Sequence, residues 1–147
     1  MPITPPDREA VKRRAGYRCE YCHIVGWELQ IDHVIPLSRR RRSVLETASA
    51  AVDALGNLAA ACAHCNRLKG DSTTGRDPLS GREVHLYHPR RDAWDQHFAW
   101  STDYLRVLPL SEIGAATISR LRMNDRIIVR QRRLLRQAMA GGAATWP

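Results

Sequence analysis

Two cysteine pairs, Cys19-Glu20-Tyr21-Cys22 and Cys62-Ala63-His64-Cys65, constrain this chain more than any other feature. A CxxC segment offers two sulfurs from one tight turn, and two such segments complete the tetrahedral thiolate set that zinc favours. The 39 residues between the pairs (23–61) exceed the roughly 15–20 of a simple zinc ribbon. The insert must therefore be a structured unit whose ends are brought together. The competing assignments are two disulfides or four free thiols. Residues Met1 to Asp7 show no basic stretch leading into an apolar one, so no secretory leader is expected. A cytoplasmic, reducing setting follows, where paired CxxC motifs are metal ligands more often than disulfides. No apolar run of about 18 residues occurs, so no membrane span is expected. With four thiols available, His23 and His64 read as neighbours of the metal rather than ligands.

Within the insert, Trp27 to Ile31 alternates as a strand does, and Pro36 sets its limit. Adjacent strand residues point to opposite faces. Asp32 and His33 can thus converge on one site only where the backbone is irregular, at a strand end or bulge. Arg39, Arg40, Arg41 and Arg42 follow; they either grip backbone phosphates or form a solvated loop. Ser43 and Glu46 make a capping box, and Val44, Ala48, Ala51, Val52 and Leu55 share one face. These predict a helix over 43–55, stopped by Gly56. Asn57 to Ala61 reads as the return strand, and Cys62 to Gly70 as a short helix closed by its glycine. Strand, insert, strand and helix make a ββα unit stapled at its outer ends, which places the chain in the α+β class.

The flanks are helical. Thr4 caps a helix with prolines in its first turn and Asp7 near the positive end of the dipole, running to about Ala15 with Gly16 as its stop. Asp77 to Gly81 is turn chemistry, followed by an edge strand over Val84 to Tyr87. Trp94, His97, Phe98 and Trp100 form an aromatic cluster, read as packing on the core, with base stacking as the alternative. Ser111 caps a helix to about Met123, and Asn124-Asp125 breaks it. A second helix carries Ile127, Ile128, Leu134, Leu135 and Ala138 on one stripe and Arg126, Arg130, Arg132, Arg133 and Arg136 elsewhere. Gly141-Gly142 ends it. Its preferred role is docking to the core, with phosphate contacts secondary. The chain reads as one domain over 1–147, a core at 15–70 and an accessory region at 71–147.

The formal net charge of +8 comes from 23 basic residues, of which only Lys12 and Lys69 are lysines. Guanidinium groups favour bidentate phosphate contacts, which makes nucleic acid the leading partner class; solvated basic faces are the bland alternative. Hydrolysing a phosphodiester takes a base to activate water and a cation to stabilise the developing charge. His33 is a candidate base. Asp32 and Asn66 supply the carboxylate and amide oxygens that suit a hard ion such as Mg²⁺.

The order CxxC, Asp32-His33, Asn57, CxxC-Asn66 resembles the zinc-containing HNH endonucleases. The resemblance rests on Cys19 to Cys22, Ile31 to Ser38, Asn57-Leu58 and Cys62 to Gly70, with a weaker likeness at Tyr87 to Arg90 and His97 to Trp100. It implies a small ββα-metal core of the HNH, or His-Me finger, type. It also implies His33 as general base, with Asp32 and Asn66 binding the catalytic ion and the scissile phosphate. Asn57 would hold the loop that bears His33, and Cys19, Cys22, Cys62 and Cys65 would bind structural zinc. The implied substrate is DNA, cut to 5′-phosphate and 3′-hydroxyl ends. Arg39 to Arg42, Arg67 and Lys69 are candidate nucleic-acid contacts. The family's last motif position is often His; the amide of Asn66 favours Mg²⁺ or Mn²⁺ over softer ions. This chain departs from the family where the four arginines and the capped helix replace a short Gly-rich loop. The rival expectation is a non-catalytic, zinc-stapled nucleic-acid-binding module.

Overall fold

The computed structural model describes residues 3–26, 28–40 and 55–140. Trp27, Arg41, Arg42, all but the last residue of the helix expected over 43–55, and Gly141-Gly142 lie outside the described residues, as do the side chains of Arg39 and Arg40.

Helix α1 spans Pro5–Arg14, and its first turn is closed by a capping box in which Thr4 and Asp7 satisfy each other's backbone N–H groups. Gly16 takes φ +62°, the left-handed value that ends the helix and turns the chain toward the first cysteine pair. Strand β1 spans Gln30–His33, later than the expected Trp27–Ile31, and α2 spans Leu37–Arg40. A 3₁₀ turn at Leu55–Asn57 leads into β2 at Leu58–Ala61. The two strands pair antiparallel, from Gln30 opposite Ala61 to His33 opposite Leu58. All four β2 side chains are buried, and the run of alanines lets elements approach it closely on both sides. Helix α3, Ala63–Lys69, follows at once, with Cys62 as its cap.

Among its described residues the accessory region holds two further hairpins and three helices. Strands β3 (Thr74–Arg76) and β4 (Glu83–His85) pair across the Asp77 turn, where the Asp77 carboxylate accepts from the N–H groups of Leu79 and Ser80. Helix α4 (Trp94–His97) runs into β5 (Phe98–Trp100), which pairs with β6 (Val107–Pro109). Helix α5 spans Glu112–Leu121, capped by Ser111, and α6 spans Arg126–Met139. A Cβ on Gly114 would lie 2.0 Å from the His97 carbonyl oxygen, so the α4–α5 approach requires glycine there. One continuous core runs from Val11 and Ala59 through Tyr21 and Leu86 to Phe98, Leu121 and Ile128. The class is α+β: helices with small antiparallel sheets.

Three expectations change. The edge strand is Glu83–His85 rather than Val84–Tyr87, and neither its partner β3 nor the β5–β6 hairpin was anticipated. Helix α5 stops at Leu121, because Arg122 adopts φ +46° and is the left-handed cap. The buried face of α6 is rotated from the expected stripe. Ile128, Val129 and Arg132 point inward, while Ile127 (59% exposed) and Leu134 (55% exposed) face solvent.

Candidate metal centre and nuclease site

The sulfurs of Cys19, Cys22, Cys62 and Cys65 lie within 4.8 Å of one another, and all but Cys62 are fully buried. Cys22 and Cys62 sulfurs are 3.7 Å apart. A tetrahedron with zinc–sulfur bonds of about 2.3 Å has edges of about 3.8 Å, so both donor chemistry and spacing fit a four-thiolate zinc site. Neighbouring thiols donate to Cys62 and hold its ionisation far below that of a free cysteine, whereas Cys22 and Cys65 are pushed up by the same hydrogen-bond network and by burial. A divalent ion would displace the protons that Cys22 and Cys65 hold. His64 donates from Nε2 toward the carbonyl oxygens of Leu121 (2.9 Å) and Arg122 (3.1 Å). His23 stacks on Trp94 with ring centroids 4.3 Å apart. Burial, with Arg18 and Arg132 adding to it, lowers the His23 pKa to about 4 and keeps the ring neutral.

The second constellation lies where α3 runs along β1. The Lys69 ammonium donates to Asp32 Oδ1 (3.1 Å) and to the His33 carbonyl oxygen (3.2 Å), while the Tyr21 hydroxyl donates to Asp32 Oδ2 (2.6 Å). One turn back on α3, Asn66 Nδ2 donates to Gln30 Oε1 at 2.6 Å. Gln30 and Asp32 are two apart on a strand and so share a face, and Asn66 and Lys69 are three apart on a helix. Carboxylate and amide consequently lie along one seam. The strand is regular through His33, so its half-buried side chain leaves the face opposite Asp32. Asn57 is buried at the end of the 3₁₀ turn before β2 and closes the turn that follows His33. Its Oδ1 accepts from Ile35 N–H (2.8 Å), its Nδ2 donates to the Ile35 carbonyl (2.9 Å), and its own carbonyl accepts from Val34 N–H (2.9 Å).

Residues 19–72 match the family model described as HNH endonuclease. This segment is an HNH domain. No curated protein and no solved structure matches the chain. The matched segment runs from the first cysteine to Ser72 and so encloses both constellations. Among the described residues, no helix is long and apolar enough to cross a membrane.

Lys69 corrects a sequence expectation. Placed there among the nucleic-acid contacts, it is 1% exposed, because the Asp32 carboxylate, itself 4% exposed, draws the ammonium inside the HNH domain. Arg67 is exposed on the same helix. Sequence reasoning also missed Gln30 and Tyr21. Their signal was available in the two-residue spacing of Gln30 and Asp32, and in a tyrosine placed between two cysteines.

The accessory region grips the first cysteine knuckle at three successive residues. The Glu20 carboxylate pairs with Arg90 and accepts from Ala60 N–H (2.8 Å). The Tyr21 carbonyl accepts from Trp94 Nε1 (3.0 Å), and the Cys22 carbonyl accepts from Arg132 (3.2 Å). The Trp94 and Trp100 rings lie 5.4 Å apart and tilted, and Trp94 packs on the HNH domain through Tyr21 and His23, as expected of this aromatic cluster.

Proposed function

We propose that this protein is a metal-dependent endonuclease that hydrolyses DNA phosphodiester bonds. His33 acts as general base, and Asp32 and Asn66 hold one Mg²⁺ or Mn²⁺ ion. The observation that supports the ion's ligands is the α3/β1 seam inside the HNH domain, with the Asn66–Gln30 and Lys69–Asp32 contacts side by side; His33 leaves the strand on the face opposite Asp32, and its role rests on the motif order alone. The donor set fits a hard divalent cation. Asn66 commits its Nδ2 to Gln30, which leaves Oδ1 as an acceptor, and Asp32 uses two of its roughly four lone-pair directions. Such an ion supplies charge neutralisation at the phosphate and at the departing oxygen.

The chain's own residues do the rest. His33 takes the proton from the attacking water, Asn57 keeps the His33 turn fixed through Ile35, and Tyr21 orients Asp32 from within the zinc knuckle. The products are 5′-phosphate and 3′-hydroxyl ends. Zinc on the four cysteines is structural, the fold is read as the ββα-metal type, and the chain works as one domain in the cytoplasm with 71–147 as its accessory region. Arg39 to Arg42 and Arg67 are the proposed phosphate contacts.

A second reading, a zinc-stapled nucleic-acid binder without hydrolysis, is favoured by one observation: Lys69 already places a cation on Asp32. Cleavage of supercoiled plasmid with Mg²⁺ or Mn²⁺ separates the two. The nuclease reading expects His33→Ala to slow cleavage by about 10²–10⁴-fold with unchanged zinc content. An equal rate in the variant overturns the base assignment, and salt-sensitive binding with no cleavage by the wild type selects the binder.

A further inference from the structure

We propose that Arg132 is a positioning residue of the four-cysteine metal centre. Its guanidinium supplies the positive charge that balances the thiolates, which makes helix α6 a structural part of that centre. The inference rests on the zinc reading of the cluster.

Arg132 is 0% exposed. Among the described residues no carboxylate pairs with it. It donates only to neutral oxygens: the Leu105 carbonyl (2.9 Å), Asn124 Oδ1 (3.3 Å) and the Cys22 carbonyl (3.2 Å). Its Nε is buried without a partner, and the guanidinium carbon lies 5.3 Å from the centre of the Trp100 ring. A buried charge persists only where something opposes it. Lys69 and Arg90, by contrast, face carboxylates, Lys69 with Asp32 and Arg90 with Glu20. Arg132 instead touches the backbone of Cys22, one of the four clustered cysteines, whose sulfurs take on negative charge when they bind a divalent ion. Four thiolates around a divalent ion carry two net negative charges, the counter-charge this guanidinium lacks elsewhere. The contact with the Cys22 carbonyl places the positive group against the backbone of a ligand, and α6 carries it there.

The test uses the full chain and two neutral or conservative variants. Zinc affinity is measured by competition with a chromophoric chelator, and the thiolate-to-metal band is recorded with cobalt in place of zinc. Arg132→Met should weaken zinc binding by about 10–100-fold, the usual size of an outer-shell effect on a metal site. Its cobalt band should move to lower energy, because uncompensated thiolates give up electrons more readily. Arg132→Lys should retain most of the affinity and the wild-type band. Unchanged affinity with an unchanged band in Arg132→Met overturns the proposal while leaving the zinc reading intact; a wild-type chain that takes up neither metal overturns both. Should Arg132→Met not fold, hydrogen exchange on the wild type decides. Stripping zinc should strip protection from α6 amides, and α6 protection that survives the loss of zinc overturns the proposal.

Discussion

Among the described residues two full cations are buried, Lys69 and Arg132, and they are compensated in different ways. Lys69 sits in the α3/β1 seam at 1% exposure with the Asp32 carboxylate 3.1 Å away. Its charge is balanced by the polypeptide itself. Arg132 is equally buried, but its hydrogen bonds go to two backbone carbonyls and one side-chain amide. The difference separates the two halves of the site. The seam is assembled by the chain alone, whereas the docking of α6 depends on what the cysteines hold. Tyr21 joins the halves, since its hydroxyl reaches Asp32 and its backbone belongs to the knuckle.

The sharpest way to break this contrast is to remove the metal. Structural zinc contributes on the order of 10 kcal/mol to folding. Chelation should unfold the knuckle, and urea titrations with and without zinc should differ accordingly. A chain equally stable in both would erase the distinction. Next in size is Lys69→Met, which leaves a buried carboxylate without its cation and should cost about 3–5 kcal/mol. Urea denaturation at several free-zinc levels checks it, and the loss should be the same at each. A zinc-dependent loss would mean that the seam, too, leans on the metal. Asn57→Ala orphans the backbone N–H and carbonyl of Ile35 and should cost about 1–3 kcal/mol, again independently of zinc.

The smallest effect concerns Arg90, the partner of Glu20 at the first cysteine knuckle. His88 Nδ1 accepts from Arg90 N–H, and burial, with the charge of Arg91, lowers the His88 pKa. A histidine that stays neutral when folded gives stability that is complete above its unfolded value, near 6.5, and is lost as pH falls below it. Urea midpoints should therefore decline from pH 6.5 downward. His88→Asn, whose amide oxygen can accept in place of Nδ1, should flatten that decline. An unchanged pH profile in the variant would show that Arg90 holds Glu20 without help from its neighbour.

Local chemistry made much of this legible. The Thr4 and Ser111 caps, the Gly16 and Gly70 stops, the four clustered thiols and the reciprocal Asn57 contact all follow from residues acting within a few positions or in a recognisable order. Other features had no local signal. Strands β5 and β6 are three residues each, too short for a two-residue period to stand out. The inner face of α6 was misjudged because a stripe is counted in apolar residues. Arg132 lies one turn beyond Ile128 and three residues before Leu135, in register with the core, and its charge disguised the register.

The sequence by itself determined the pairing of the four cysteines, the Thr4 and Ser111 caps and the order of the HNH motif, because each depends on side-chain type at short or fixed spacing. Only the tertiary structure decided which charges go inside. Burying Lys69 or Arg132 depends on whether a distant strand, loop or sulfur cluster arrives with matching oxygens or negative charge, and no spacing along the chain encodes that arrival.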